Sequence, residues 1–470
     1  MNTTIETRIG VFHRYLNHTN MDHKPYQIDG VRWILNNELG AEPVCGVRGG
    51  FIADEMGLGK TIMMIGTMLS NILDRTLIVL PPLLIDQWYD QIYRTTGHRA
   101  VIYHGKYKKN ITIEKLHNAK IVITSYGGIT LLKSQIKNKH LTLLHNVEWG
   151  RIIFDEAHHL RNKNTTRYKS ARLLNTQIRW LVSGTPIQNS KNDFYNLCAM
   201  ITLPASFYTD INNLPTLNKC FILKRTKKQV GIQIPDIHHI KNIVDWTNQR
   251  EMELSKEIHG FIGGAKNKTS IFGESALLSL LRARQSCIYP KLLAKTIIKA
   301  QQKGLIGNHD FKEAFNHSSK LDYVVKKILD RKDNGNGKLI FCHYKEEIDE
   351  IASRLTAGGM SKIVTFDGRT SKNNRFKILN ERNNAVVLQI QTGCEGLNLQ
   401  QNYSEIYFIS PNWNPAVEDQ AIARCHRIGQ TKQVYVHRFD MNNFTEHICA
   451  DKYVVNKQDI KRCVAREYIE

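Results

Sequence analysis

The run GGFIADEMGLGKT, Gly49 to Thr61, ends in Gly-Lys-Thr, as phosphate-binding loops do. GFIAD reads as a strand and TIMMIGTML as a helix. The loop between them therefore falls at a helix N-terminus, where free N–H groups and a positive dipole end receive an anion. Gly57 and Gly59 let the backbone curl tightly. Lys60 has the reach of the β- and γ-phosphates of ATP, and the Thr61 hydroxyl suits Mg2+. The general loop has a glycine where this chain has Asp54, followed by Glu55. Two acids beside a triphosphate repel it, so we expect both side chains to turn away, bracing the loop or meeting basic residues.

A second element, RIIFDEAHHL, runs an apolar strand into Asp155 and Glu156. Carboxylates at the C-terminal end of a buried parallel strand lie where open α/β sheets bind ligands. Asp155 is expected to hold Mg2+, and Glu156 to orient and deprotonate the attacking water. LVSGTPIQN adds a small polar turn, Ser183, Gly184 and Thr185, after another apolar strand. In EDQAIARCHRIGQ, Arg424 and Arg427 are three apart, hence neighbours on one helix face. Such a pair suits the charge that develops on a γ-phosphate.

These residues need strand ends to carry them. Apolar runs at Phe51–Ala53, Leu77–Leu80, Ile121–Ile123, Ile152–Phe154 and Trp180–Val182 alternate with helix-length amphipathic segments. A second alternating block follows the DNGNGK turn, with runs at Leu339–Phe341, Ile363–Thr365, Val386–Leu388, Ile406–Ile409 and Val434–His437. Strand and helix in alternation predict α/β folding, with parallel sheets covered on both faces. The expected division is a poorly ordered lead-in over 1–21, a first lobe over 22–232, a linker and helical region over 233–330, and a second lobe over 331–470.

The chain has 470 residues, too many for one core, and 65 basic against 43 acidic side chains, a net charge of +22. Nucleic acid is the commonest partner of such a surface, through phosphate neutralisation. No apolar stretch is long enough to span a bilayer. The nine cysteines contain no Cys-x-x-Cys pair, which argues for free thiols and against a zinc module. KRTKK, Lys224 to Lys228, reads either as an import signal or as part of the fold.

DEMGLGKT, DEAHHL, SGTPIQN and RCHRIGQTKQ, in that order, resemble the Swi/Snf branch of the superfamily 2 helicase-like ATPases. KPYQIDGVRWI is similar to the family's adenine-reading motif, which puts Gln27 on the base. LIVLPPLLIDQW and ITSYG resemble first-lobe segments that touch the DNA backbone. The resemblance implies two tandem RecA-like lobes with helical insertions between them, and ATP hydrolysis coupled to translocation on double-stranded DNA. It also implies nucleotide contacts by residues 54–61, which include Met56 and Leu58, and by Gln420, Arg424 and Arg427. Nucleosomes or transcription machinery are the implied larger partners, and the nucleus the implied location, or the cytoplasm for a cytoplasmic virus or bacterial copy. The absence of a RING insertion and of chromatin-reading modules resembles the compact copies of large DNA viruses, the baculovirus global transactivators among them. Cys394 stands where the family has a second glycine, with Glu395 beside it, in a motif that couples DNA contact to the nucleotide. Two other readings are a DEAH-type RNA helicase, on the letters of residues 155–158, and a non-catalytic DNA-binding transcriptional scaffold.

Overall fold

The computed structural model describes residues 2–138, 140–260, 275–305, 311–371, 374, 378, 381–393, 398–445 and 448–469. Cys394 and Glu395 lie outside the described residues. The chain forms two compact units, residues 1–233 with 461–470, and residues 234–460.

The first unit is built on seven parallel strands: β1 (Arg48–Ile52), β2 (Thr76–Leu80), β3 (Val101–Tyr103), β4 (Ile121–Ser125), β5 (Glu148–Asp155), β6 (Asn175–Val182) and β7 (Ile222–Leu223). Their order across the sheet is β3-β4-β2-β5-β6-β1-β7. The central strands are buried on both faces, which is why they read as continuous apolar runs. One face packs under a cluster that includes Trp149, Phe154, Phe194 and Leu197, the other under one that includes Met63, Met64, Trp88 and Trp180.

Four helices matter to the site: α1 (Asn2–His18), α2 (Pro25–Leu39), α3 (Lys60–Ser70) and α4 (Ile85–Thr96). The lead-in read as poorly ordered is helix α1. Its Ile5, Ile9, Phe12 and Leu16 recur at helical spacing and are all buried. Phe12 lies over Gly66 of α3, where a Cβ would come within 2.3 Å of the ring. Helix α2 ends in a buried polar knot. The Glu38 carboxylate accepts from Arg151 Nε and Nη2, both at 2.5 Å, from Trp180 Nε1 at 2.8 Å and from Asn71 Nδ2 at 2.7 Å.

The second unit carries six parallel strands: β8 (Ile237–Val244), β9 (Gly337–Cys342), β10 (Ile363–Phe366), β11 (Ala385–Gln389), β12 (Tyr403–Phe408) and β13 (Val434–Met441), in the order β10-β11-β9-β12-β13-β8. β8 belongs to a stretch that sequence marks as linker. It pairs with β13 along its whole length, from Ile237 opposite Val434 to Val244 opposite Met441. Helices spanning Gln249–His259, Ala276–Ile288 and Ser319–Leu329 pack in this unit's core.

Candidate active site

The phosphate loop follows β1 and leads into α3. Gly57 and Gly59 have φ of 93° and 82°, the left-handed region that glycine enters without strain. A Cβ on Gly59 would sit 2.3 Å from Gln27 Nε2. The loop is therefore shaped as a backbone cradle at the first turn of α3, and it fits a phosphate chain. Lys60 Nζ donates to the Asp54 carbonyl at 2.8 Å and lies 3.4 Å from that of Glu55. Gln27 is buried on α2, and its amide donates to the Leu58 carbonyl at 3.1 Å. The Leu58 side chain is in the core, so only its backbone faces the loop.

The two acids point at basic partners. Asp54 is fully buried and takes Arg225 in a bidentate pair, Nε–Oδ1 3.0 Å and Nη2–Oδ2 2.5 Å. Glu55 accepts from the Lys227 backbone N–H at 2.8 Å and from its Nζ at 2.7 Å. Arg225 and Lys227 come from KRTKK, so two of its four basic residues are engaged inside the fold.

Asp155 ends β5. Trp88 Nε1 donates to its Oδ2 at 2.7 Å, the Glu156 N–H donates to its Oδ1 at 3.0 Å, and the Tyr126 hydroxyl donates to its carbonyl at 2.7 Å. Burial, together with the Glu156 charge, pushes the Asp155 carboxyl up to about 6, against the Trp88 hydrogen bond and the Lys60 charge. Glu156 has φ 50°, ψ 49°, unusual for a residue with a side chain. His158 Nδ1 lies 3.3 Å from Glu156 Oε2 and 3.4 Å from Ser183 Oγ. Gly184 packs over the loop, its notional Cβ 3.5 Å from Lys60 Nζ. The hard oxygen donors Thr61 and Asp155 suit a divalent cation such as Mg2+.

Trp88 and Tyr126 were not readable as site residues. They belong to LIDQW and ITSYG, expected at the DNA backbone, yet these two side chains hold Asp155. For Tyr126, an aromatic with a polar tip directly after a strand was the available signal, whereas Trp88 sits inside α4 with no such marker.

In the second unit, Gln420 is buried on the helix Pro415–Ile422. That helix stops before either arginine, so Arg424 and Arg427 do not share a helix face. They lie in a tight turn that closes with Arg424 N–H on the Ala421 carbonyl and Gln430 N–H on the Arg427 carbonyl. The Gln430 amide pins the turn through the Tyr403 and Cys425 carbonyls, at 3.0 and 3.1 Å. Arg427 donates to Asn398 Oδ1, and burial with the nearby Arg424 charge lowers its pKa.

The SNF2-related domain matches residues 26–292, and the helicase conserved C-terminal domain matches residues 319–429. The chain belongs to the SNF2 family. This SNF2-family chain is thus a helicase-like, DNA-dependent ATPase in class, and the Asp-Glu-Ala-His letters do not make it a DEAH-type RNA helicase. A probable global transactivator of Orgyia pseudotsugata multicapsid polyhedrosis virus is 25% identical, over 93% of this chain and 89% of the relative. The ATP-dependent DNA helicase DDM1 of Arabidopsis thaliana is 25% identical over 88% of this chain, but the match spans 58% of that protein. For ISW2, an ISWI chromatin-remodeling complex ATPase of Saccharomyces cerevisiae, the figures are 27%, 90% and 39%. The solved Sulfolobus solfataricus SWI2/SNF2 ATPase core in complex with dsDNA aligns over 96% of this chain and 97% of that one, at 23% identity and a TM-score of 0.40.

Proposed function

We propose that this chain is an ATP-driven translocase on double-stranded DNA, acting in the nucleus in transcription, chromatin or repair. The observation that supports it best is one strand-end cluster holding a glycine-shaped phosphate cradle, Lys60, Thr61 and the Asp155–Glu156 pair. In this reading Gln27 meets adenine, and residues 54–61 receive the triphosphate through their backbone. Lys60 leaves the Asp54 carbonyl for the β- and γ-phosphates. Thr61 and Asp155 hold Mg2+, which screens the phosphate charge when bound. Glu156, flanked by His158, takes the proton of the attacking water. Gln420, Arg424 and Arg427 serve the nucleotide from the second unit in the hydrolysis-competent state. Catalysis is then positioning and electrostatics. The basic surface reads DNA through phosphates more than bases. Nucleosomes and transcription machinery are the proposed larger partners.

The test is ATP turnover with duplex DNA, single-stranded DNA, RNA and nucleosomes at stated salt. Duplex DNA is expected to stimulate most. Equal or greater stimulation by RNA would overturn the DNA assignment, and negligible turnover with every polymer would favour a scaffold.

A further inference from the structure

The phosphate loop carries two carboxylates of its own, and each has a dedicated cation from a segment about 170 residues downstream. We propose that Arg225 and Lys227 are positioning residues that shield Asp54 and Glu55, so that this loop can accept a triphosphate. The inference rests on the nucleotide reading of the loop.

The backbone already ties the two segments together. Beyond the last β1–β7 pair, the Ala53 N–H donates to the Leu223 carbonyl at 2.8 Å and the Glu55 N–H to the Arg225 carbonyl at 2.9 Å. The Lys227 N–H then closes onto the Glu55 carboxylate at 2.8 Å. Residues 223–227 thus template the first half of the loop, and their side chains neutralise it. The Arg225 side chain also gathers the nucleotide elements. Its Nη1 donates to the Tyr26 carbonyl, next to Gln27, and its guanidinium lies 5.7 Å from the centre of the Tyr26 ring. Its Nη2 is 3.5 Å from Met63 Sδ on α3. A Cβ on Gly30 of α2 would approach Nη2 to 2.9 Å, so that glycine makes room for the guanidinium. Asp54, sealed from water, has little else to screen it, and a buried charge whose partner is removed acts at full strength on its neighbours.

The role makes a charge-graded prediction, which a merely structural role does not. Affinities of the full chain for ATP, ADP and AMP would be measured by displacement of a fluorescent nucleotide. Arg225→Met is expected to weaken ATP on the order of tenfold, ADP less and AMP least. Adding Asp54→Asn is expected to restore ATP binding, because it removes the bared charge. Lys227→Met should show the same gradation, cured by Glu55→Gln. This more exposed pair serves if the Arg225 variant does not fold. Equal losses for all three nucleotides, or no recovery in the double variants, would overturn the proposal alone. A wild-type chain that binds none of the three would overturn the nucleotide site and the proposal with it.

Discussion

Glu38→Leu removes the acceptor of the buried knot at the foot of the first sheet. Glu38 and Arg151 side chains are both 0% exposed. The lost partner leaves the Arg151 guanidinium uncompensated in the core, at a cost of about 3–5 kcal/mol. Trp180 Nε1 and Asn71 Nδ2 also lose their acceptor, and each unsatisfied donor adds about 1–3 kcal/mol. For a unit of this size 1 kcal/mol moves a melting midpoint by about 2–4 °C. A fall of at least ~6 °C is therefore expected in the transition of the first unit. Four of the six tryptophans, Trp33, Trp88, Trp149 and Trp180, lie in that unit, so urea unfolding followed by tryptophan fluorescence reads it well. The double variant Glu38→Leu/Arg151→Leu should lose less than the sum of the single losses, because the stranded charge is gone. A shift below ~1 kcal/mol in Glu38→Leu, or strict additivity in the double variant, would refute the claim that this pair closes the sheet against α2.

Lys60→Ala and Glu156→Gln are expected to abolish ATP turnover while duplex DNA affinity, measured by anisotropy, changes little; undiminished turnover in either sinks the assigned roles. Gly59→Ala forces a side chain into positive φ and onto Gln27, so nucleotide affinity should fall by tenfold or more, on the order of 1–2 kcal/mol of strain, as titration calorimetry would detect. In the second unit, burial raises the Glu347 carboxyl to about 7, even though it accepts from the His343 and Tyr344 N–H groups. A raised acid favours the folded state while protonated, so its contribution is full below the unfolded pKa near 4.5 and is lost as pH rises through 7. Glu347→Gln keeps an acceptor for those N–H groups and cannot ionise. Between pH 5 and pH 8 its stability should gain on wild type by about 2–3 kcal/mol, and parallel pH curves in urea melts would contradict this.

The sheets were legible because both are parallel and doubly covered, so each central strand is an unbroken apolar run such as IIF before Asp155. β8 was not. It is an edge strand with exposed histidines and an exposed lysine, and IHHIKNIV looks like linker. Helix α1 hides its apolar stripe among Thr, Asn and His. The positions of Lys60, Asp155 and Glu156 followed from short motifs next to strands, since a strand and the loop after it are contiguous. What motifs do not encode is who holds whom. Trp88 on Asp155 and Arg225 on Asp54 join segments 67 and 171 residues apart. Three-residue spacing placed Arg424 and Arg427 on a helix that Gln430 and the Cys425 carbonyl had already turned into a tight bend.

Residues 461–470 cluster with the first unit, where Tyr468 packs on Phe194 and Tyr195 and Ile469 joins the core. On the ribosome, the first unit's sheet is finished once residue 223 has emerged, but that part of its core stays open while all of 234–460 is made. The last residues of the first unit's core are therefore supplied only after the second unit has been translated, so this unit is contiguous in space but split in sequence.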